Sequence, residues 1–197
     1  MTITLGDFTT ADDVLDGVDL AGKRILITGV SAGLGVETAR ALAAHGADVV
    51  GAARDLGKAA RATAVVRAAA ISGNGKLALV QLDLANLANV RACADALRAD
   101  GRPFDVVINN AGVMATPFGH TVDGFETQFG TNHLGHFLLV NRIAPLIRAG
   151  GRVVSVASAG HRFADVDGRS EFRAWPLCPL PRLWAVQDGE CAFRAGL

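Results

Sequence analysis

Three glycines within eight residues, Thr28-Gly29-Val30-Ser31-Ala32-Gly33-Leu34-Gly35, form the first segment of the chain whose residue types could do chemistry. They follow a short apolar run, residues 23–29 (KRILITG), that reads as a buried strand. They precede residues 33–44, where small and apolar side chains recur at helical spacing and stop before Gly46. Gly29 permits a tight turn off the strand. Gly33 and Gly35 lack the Cβ that would hold backbone away from a pyrophosphate. The helix opening here aims unpaired N–H groups and the positive end of its dipole at the same point, and Ser31 adds a hydroxyl donor. Glycines also make ordinary tight turns; the strand before and the helix after favour the phosphate-binding reading.

Two polar residues further along could act on a substrate. Phe125, Phe129, Asn132 and His136 share one face if their segment is an α-helix, which would bury the Asn132 amide among large rings. A buried amide needs partners. Ser158 follows an apolar run, residues 152–157 (RVVSVA), at the strand end where ligands of parallel sheets bind. A serine at a strand end is, taken alone, usually a turn or cap residue. Ser155 lies within that run, on its opposite face.

The elements that must position these groups alternate. Strands are expected at residues 23–29, 48–53 (DVVGAA), 76–82 (KLALVQL), 104–109 (FDVVIN) and 152–157. Helices are expected at residues 33–44, 59–70, 87–99 and, as one long helix, 123–148. Short connections and a βαβαβαβαβ order require right-handed crossovers and a parallel sheet with helices on both faces. The near-continuous Val, Ile and Leu of the strands fit burial on both sides. The fold class expected is α/β, a doubly wound parallel sheet of Rossmann type, ending after its fifth strand.

Composition narrows the function classes. The chain has 197 residues, half of them apolar, and a formal net charge of zero. Neutrality argues against a nucleic-acid or anionic-membrane footprint. No apolar run reaches the roughly 18–20 residues of a spanning helix. The acidic first residues do not read as a secretory signal. Cys93, Cys178 and Cys191 are too few and scattered for a disulfide framework or a zinc site, so a reduced, cytoplasmic setting is the default expectation.

Four segments together resemble the short-chain dehydrogenase/reductase family, from about residue 21 to about residue 167. The spacing G-x-x-x-G-x-G after Thr28 matches that family's glycine motif. Asp83-Leu84 falls where the family's aspartate accepts a hydrogen bond from the adenine amine. Asn109-Asn110-Ala111-Gly112 matches its N-N-A-G segment, and Asn132 in TNHLGH its catalytic asparagine. The wording TNHLGHFLL and SVASAGHRF is most similar to the retinol dehydrogenase branch. The resemblance implies an oxidoreductase passing hydride between a nicotinamide cofactor and a carbonyl or alcohol. It implies cofactor contacts at Gly29, Ser31, Gly33, Leu34, Gly35, Asp83, Leu84, Asn110, Ala111 and Gly112. Ser158 would bind the reacting oxygen, and Asn132 would anchor a water of the proton relay; a purely structural bond to neighbouring backbone remains the other reading of Asn132. Arg54 stands at the end of the second strand, where NADP enzymes place a phosphate-binding arginine and NAD enzymes a carboxylate. The other reading of Arg54 is a solvated surface arginine, with Asp55 as an ordinary turn residue; NADP is the preferred cofactor and NAD the alternative.

The family's acid is a tyrosine with a lysine four residues later, which lowers its pKa from about 10. This chain contains no tyrosine, and its last lysine is Lys76. His161 lies near Ser158 and could donate a proton, but it matches no catalytic position of the family. His133 and His136 read as satisfied helix residues, since no third metal ligand accompanies them.

Residues 1–167 are expected as an incomplete nucleotide-binding domain and residues 168–197 as an anomalous tail. Both tryptophans, Trp175 and Trp184, and two of the three cysteines lie in that tail, which has no periodicity. Codons can be chosen for Gly168 through Cys191 so that the frame one base later reads VDPNSARGPYAPFLAYGQSKTANA. That string contains YGQSK, the missing pair. The expectation is a frameshift near Asp167 or Gly168, leaving this chain inactive or a non-catalytic dinucleotide-binding fragment. The helices that make the family's oligomer interface would then be lost, and the fifth strand would be an uncovered edge.

Overall fold

The computed structural model describes residue 6 and residues 9–158. His161 and the tail from Gly168 lie outside the described residues. The chain divides into two compact units. The first holds the residues up to Leu82 together with Gly101–Ala111 and Pro145–Val154. The second holds Asp83–Asp100, Gly112–Ala144 and, among the described residues, 155–158.

Five strands, β1 (Arg24–Thr28), β2 (Asp48–Ala53), β3 (Lys76–Gln81), β4 (Phe104–Asn109) and β5 (Ile147–Ser155), form one sheet in the order β3-β2-β1-β4-β5. β1 runs parallel to β2 and β4, and β2 parallel to β3. The winding reverses at β1, so a switch point lies between the carboxyl ends of β1 and β4. The sequence places β2 and β4 at their observed bounds, because both are apolar runs closed by turn residues.

Burial follows position in the sheet. All five residues of β1 are buried, and Leu26 and Ile27 are fully so. β3 lies at an edge and alternates exposed with half-buried residues instead of being apolar throughout. Among the described residues β5 is the other edge, and Val153, Val154 and Val156 stay nearly half exposed. Phe104 opens β4 completely buried, with the Arg24 guanidinium 4.4 Å above its ring.

In the first unit, a short helix α1 (Ala11–Leu15) is closed by a capping box between Thr10 and Asp13 and packs on α2 (Leu34–Ala44). The expected helix at 59–70 is instead two, α3 (Leu56–Ala62) and α4 (Ala64–Ser72). Thr63 divides them: its hydroxyl donates back to the Ala59 carbonyl at 2.7 Å, a competing bond of the kind that bends helices. Asp55 caps α3, which starts three residues earlier than expected, by accepting the Lys58 N–H at 2.8 Å.

In the second unit, α5 (Leu87–Asp100) packs on α6 (Gly135–Ile143), and an ion pair of 2.7 Å ties Arg142 to Asp95. The long helix expected over 123–148 is corrected at both ends. Residues 121–125 form a turn, with an antiparallel bridge between His120 and Glu126. The Asp123 carboxylate there accepts the Leu87 N–H at 2.8 Å. A π-helical stretch, Phe129–Leu134, leads into α6. A 3-10 turn, Ala144–Leu146, ends the helical segment at Pro145, and Arg148 is already in β5.

Candidate functional site

The glycine turn is locked to the end of β4 by Thr28. Its hydroxyl accepts the Asn110 N–H at 3.0 Å and the Ala111 N–H at 2.9 Å. The Asn110 amide donates back to the Thr28 carbonyl at 2.9 Å. Three bonds thus hold the carboxyl ends of β1 and β4 together at the switch point, and Asn110 acts here through backbone and amide on the turn itself.

Two of the glycines are required by space and one by conformation. A Cβ on Gly29 would lie 2.8 Å from the Ala111 Cα, and φ there is +81°. A Cβ on Gly35 would meet the Gly29 carbonyl and lie 2.6 Å from the Asn110 amide nitrogen. Gly33, by contrast, faces nothing within 4 Å, but its φ of +61° is closed to most side chains. Gly33 is also the N-cap of α2 and gives that helix no side-chain cap. The helix start therefore presents backbone donors toward open space, the condition for holding an anion. Leu34, the first helical residue, is three-quarters exposed, and Ser31 is half-buried. The turn as built fits a diphosphate.

Arg54 leaves the carboxyl end of β2 exposed. Its neighbour Asp55 is committed to capping α3, and the Lys58 backbone N–H bound to its carboxylate holds its pKa below the usual range. Asp55 therefore serves the turn.

The second unit carries the remaining candidates. Asp83 is half-buried and makes an Asx turn, its carboxylate accepting the Ala85 N–H at 3.0 Å while its own N–H donates to Asn89 at 2.7 Å. Leu84 is buried against the helical segment; a Cβ on Gly135 would lie 2.8 Å from the Leu84 Cβ. Gly112 is exposed and lies beside Asn132. Asn132 clamps the residue after it: its Oδ1 accepts the Val113 N–H at 2.8 Å, and its Nδ2 donates to the Val113 carbonyl at 2.9 Å. Ser158 is half-buried just beyond β5 and is the last described residue.

The face predicted for Asn132 is not the observed one. Phe125 lies outside the helix and is 40% exposed. The π-helical stretch carries Asn132 itself, and a wider turn shifts the register of every following side chain. His136 is buried, and its Nδ1 meets the Asn132 carbonyl at 2.8 Å. That partner only accepts, so Nδ1 carries the proton. Burial pushes the His136 pKa down to about 4, which keeps the ring neutral. His133 sits between the Phe129 and Phe137 rings, with centroids 5.2 and 6.3 Å away, and burial lowers its pKa too.

This gives a pH expectation. The unfolded chain takes up a proton on His136 near pH 6.5, and the folded chain not until about 4, so stability falls as pH drops through that window. The loss reaches about 3 kcal/mol at most. Urea titrations of wild type and His136→Gln from pH 7 to 5 check it. The variant's stability should fall less steeply, with His133 keeping part of the slope; equal slopes would refute the assignment.

Sequence reasoning missed Gln128. It is almost wholly buried, and its Oε1 accepts the Ala115 N–H at 3.2 Å. Ala115 has a φ of +52°, strained for a residue with a Cβ, and Gln128 helps hold it there. No local signal marks it in the sequence, where it stands between Thr127 and Phe129 in a mixed polar and aromatic stretch.

The comparisons with known proteins bear on this geometry. The family model described as short chain dehydrogenase matches residues 23–166. This chain belongs to the short-chain dehydrogenase family. It is 41% identical over 162 residues to retinol dehydrogenase 12 of Mus musculus, covering 79% of this chain and 51% of that protein. It is 40% identical over 161 residues to the WW domain-containing oxidoreductase of Homo sapiens, covering 81% of this chain and 38% of that one. The chain thus spans about half or less of the length of these relatives. Among solved structures it is similar to an uncharacterized protein from Mycobacterium paratuberculosis, with 38% identity and a TM-score of 0.73 over 95% of this chain and 67% of that chain. A blue fluorescent protein from a metagenomic library, solved in complex with NADPH, shares the fold at a TM-score of 0.66 and 24% identity, over 89% of this chain and 67% of that one.

Proposed function

We propose that the chain binds NADP at the glycine turn and derives from an oxidoreductase acting on a small-molecule carbonyl or alcohol. The observation that carries this is the turn itself: glycines at 29 and 35 where an added Cβ would run into backbone, leading into an uncapped helix start. In the family the bound nicotinamide supplies or accepts a hydride. The residues of this chain bind and orient. The first N–H groups of α2 and the Ser31 hydroxyl hold the diphosphate. The Arg54 guanidinium pairs with the ribose 2′-phosphate through charge-assisted bonds. The family pattern assigns Asp83 and Leu84 to the adenine side, and Asn110, Ala111 and Gly112 to backbone contact with the cofactor. Ser158 orients the substrate oxygen. Asn132 is a positioning residue, since its bonds to Val113 shape the segment that follows Gly112.

The proton is what this chain does not provide. With no tyrosine in 197 residues and no lysine after Lys76, the alkoxide formed by hydride transfer has no family acid to protonate it. Cofactor binding without turnover is the reading of this chain's own activity, and a frameshift near Gly168 is its proposed origin. A cytoplasmic setting belongs to the same proposal. Among the described residues, no helix is long and apolar enough to cross a membrane.

Fluorescence titration with NADPH and NADH tests the cofactor. NADPH should bind at least tenfold tighter, and Arg54→Ala should remove that preference, since bonds to a charged group contribute about 1.5–3 kcal/mol. Equal affinity for the two nucleotides in the wild type would turn the reading to NAD.

A further inference from the structure

At the opposite end of the sheet from the glycine turn lies a cleft of about 330 Å³, wholly within the first unit. Its lining includes Arg24, Lys76, Arg102 and Arg148, one carboxylate, Asp48, and Asn74. Strand register builds it. Arg24, Asp48 and Lys76 open β1, β2 and β3, and the parallel pairing sets them side by side in one row. Arg24 is rigid: it is buried, stacked on Phe104, and donates to the Arg102 carbonyl at 2.6 Å. The outer cations are adaptable. Arg102 meets Asp48 at 3.5 Å and Arg148 meets Asp105 at 3.6 Å, both long ion pairs with the arginine about half exposed. Lys76 is exposed at the mouth.

We infer that this cleft binds a small organic phosphate. Four cations line the cleft, with Asp48 paired to Arg24 and Arg102 and with Asp105 paired to Arg148; the remaining excess of positive charge, in a chain whose net charge is zero, favours a compact anion of high charge density. Sites for small organic molecules begin at about 300 Å³, so the volume suits a phosphate carrying a short organic group. Roughly 13 Å of strand separates Arg24 from Thr28, four residues at about 3.3 Å each. The site therefore stands apart from the diphosphate turn and does not depend on the cofactor reading.

Chemical shifts of ¹⁵N-labelled full-length chain, titrated with glycerol 3-phosphate and separately with inorganic phosphate at constant ionic strength, test it. Saturable shifts at the Gly22, Gly46 and Lys76 amides are expected, with the organic phosphate binding more tightly. Lys76→Gln combined with Arg148→Gln should weaken binding at least tenfold; both side chains are solvent-accessible, and the fold is checked by the unchanged remainder of the spectrum. Lys76→Arg should retain most of the affinity. Non-saturating shifts, shifts confined to residues 29–35, or unchanged affinity in the double variant would overturn the inference. Equal affinity for inorganic phosphate would overturn the organic part of it.

Discussion

The purified 197-residue chain is expected to bind NADPH and yet to reduce no ketone at a rate typical of its family. Hydride transfer to a carbonyl carbon leaves charge on oxygen, and that charge must be met by a proton within hydrogen-bond reach. Removing a positioned general acid costs typically 10²–10⁴-fold on its own. Here the tyrosine and its lysine are both absent from the sequence, so the loss should reach at least the upper end of that range. Single-turnover mixing of chain, NADPH and a panel of aldehydes and ketones measures it. A preserved cofactor affinity with no NADPH consumption is the expected pair of results. Turnover at ordinary rates would defeat the proposal, and its loss in His161→Ala would then identify the acid. Sequencing the gene from the codon of Ser158 past the stop separates the causes. A shifted frame encoding YGQSK supports the frameshift; any other reading of those bases removes it.

The second large effect belongs to Gly35. Gly35→Ala should lower the melting temperature and weaken NADPH binding by about ten- to a hundredfold. The added methyl meets the Gly29 carbonyl and stands 2.6 Å from the Asn110 amide nitrogen, which its bond to the Thr28 carbonyl holds in place. Neither can yield without breaking a hydrogen bond or moving α2 off β1, and overpacking of this kind costs typically about 1–3 kcal/mol. The helix start would move with it, and that helix start carries the proposed diphosphate donors. Gly57→Ala is the control. Gly57 is an exposed helical residue of α3 whose added Cβ would lie 3.3 Å from the Asp55 carboxylate. It should be neutral or stabilising by up to about 1 kcal/mol through helix propensity. Calorimetry and NADPH titration of both variants decide it; similar results for the two would show that glycine content, not close approach, matters at position 35.

The sequence by itself determined the order of strands, the glycine turn after the first of them and the absence of tyrosine. These rest on local facts: apolar runs such as residues 48–53 and 104–109, glycines at fixed offsets, and a residue type that is absent. Asp55 could be read as a turn residue because its capping bond reaches only three residues ahead. Only the tertiary structure decided what depends on partners distant in the chain. Thr28 binds backbone 82 and 83 residues away, and no local pattern announces it. The π-helical stretch at Phe129–Leu134 moved Asn132 off the face that α-helical spacing gave it, because tertiary bonds to Val113 and Ala115 outweighed a regular helix. The cationic row at 24 and 76 exists only because parallel register aligns the starts of three strands. Periodicity reads which face of an element is buried; it cannot read what that face meets.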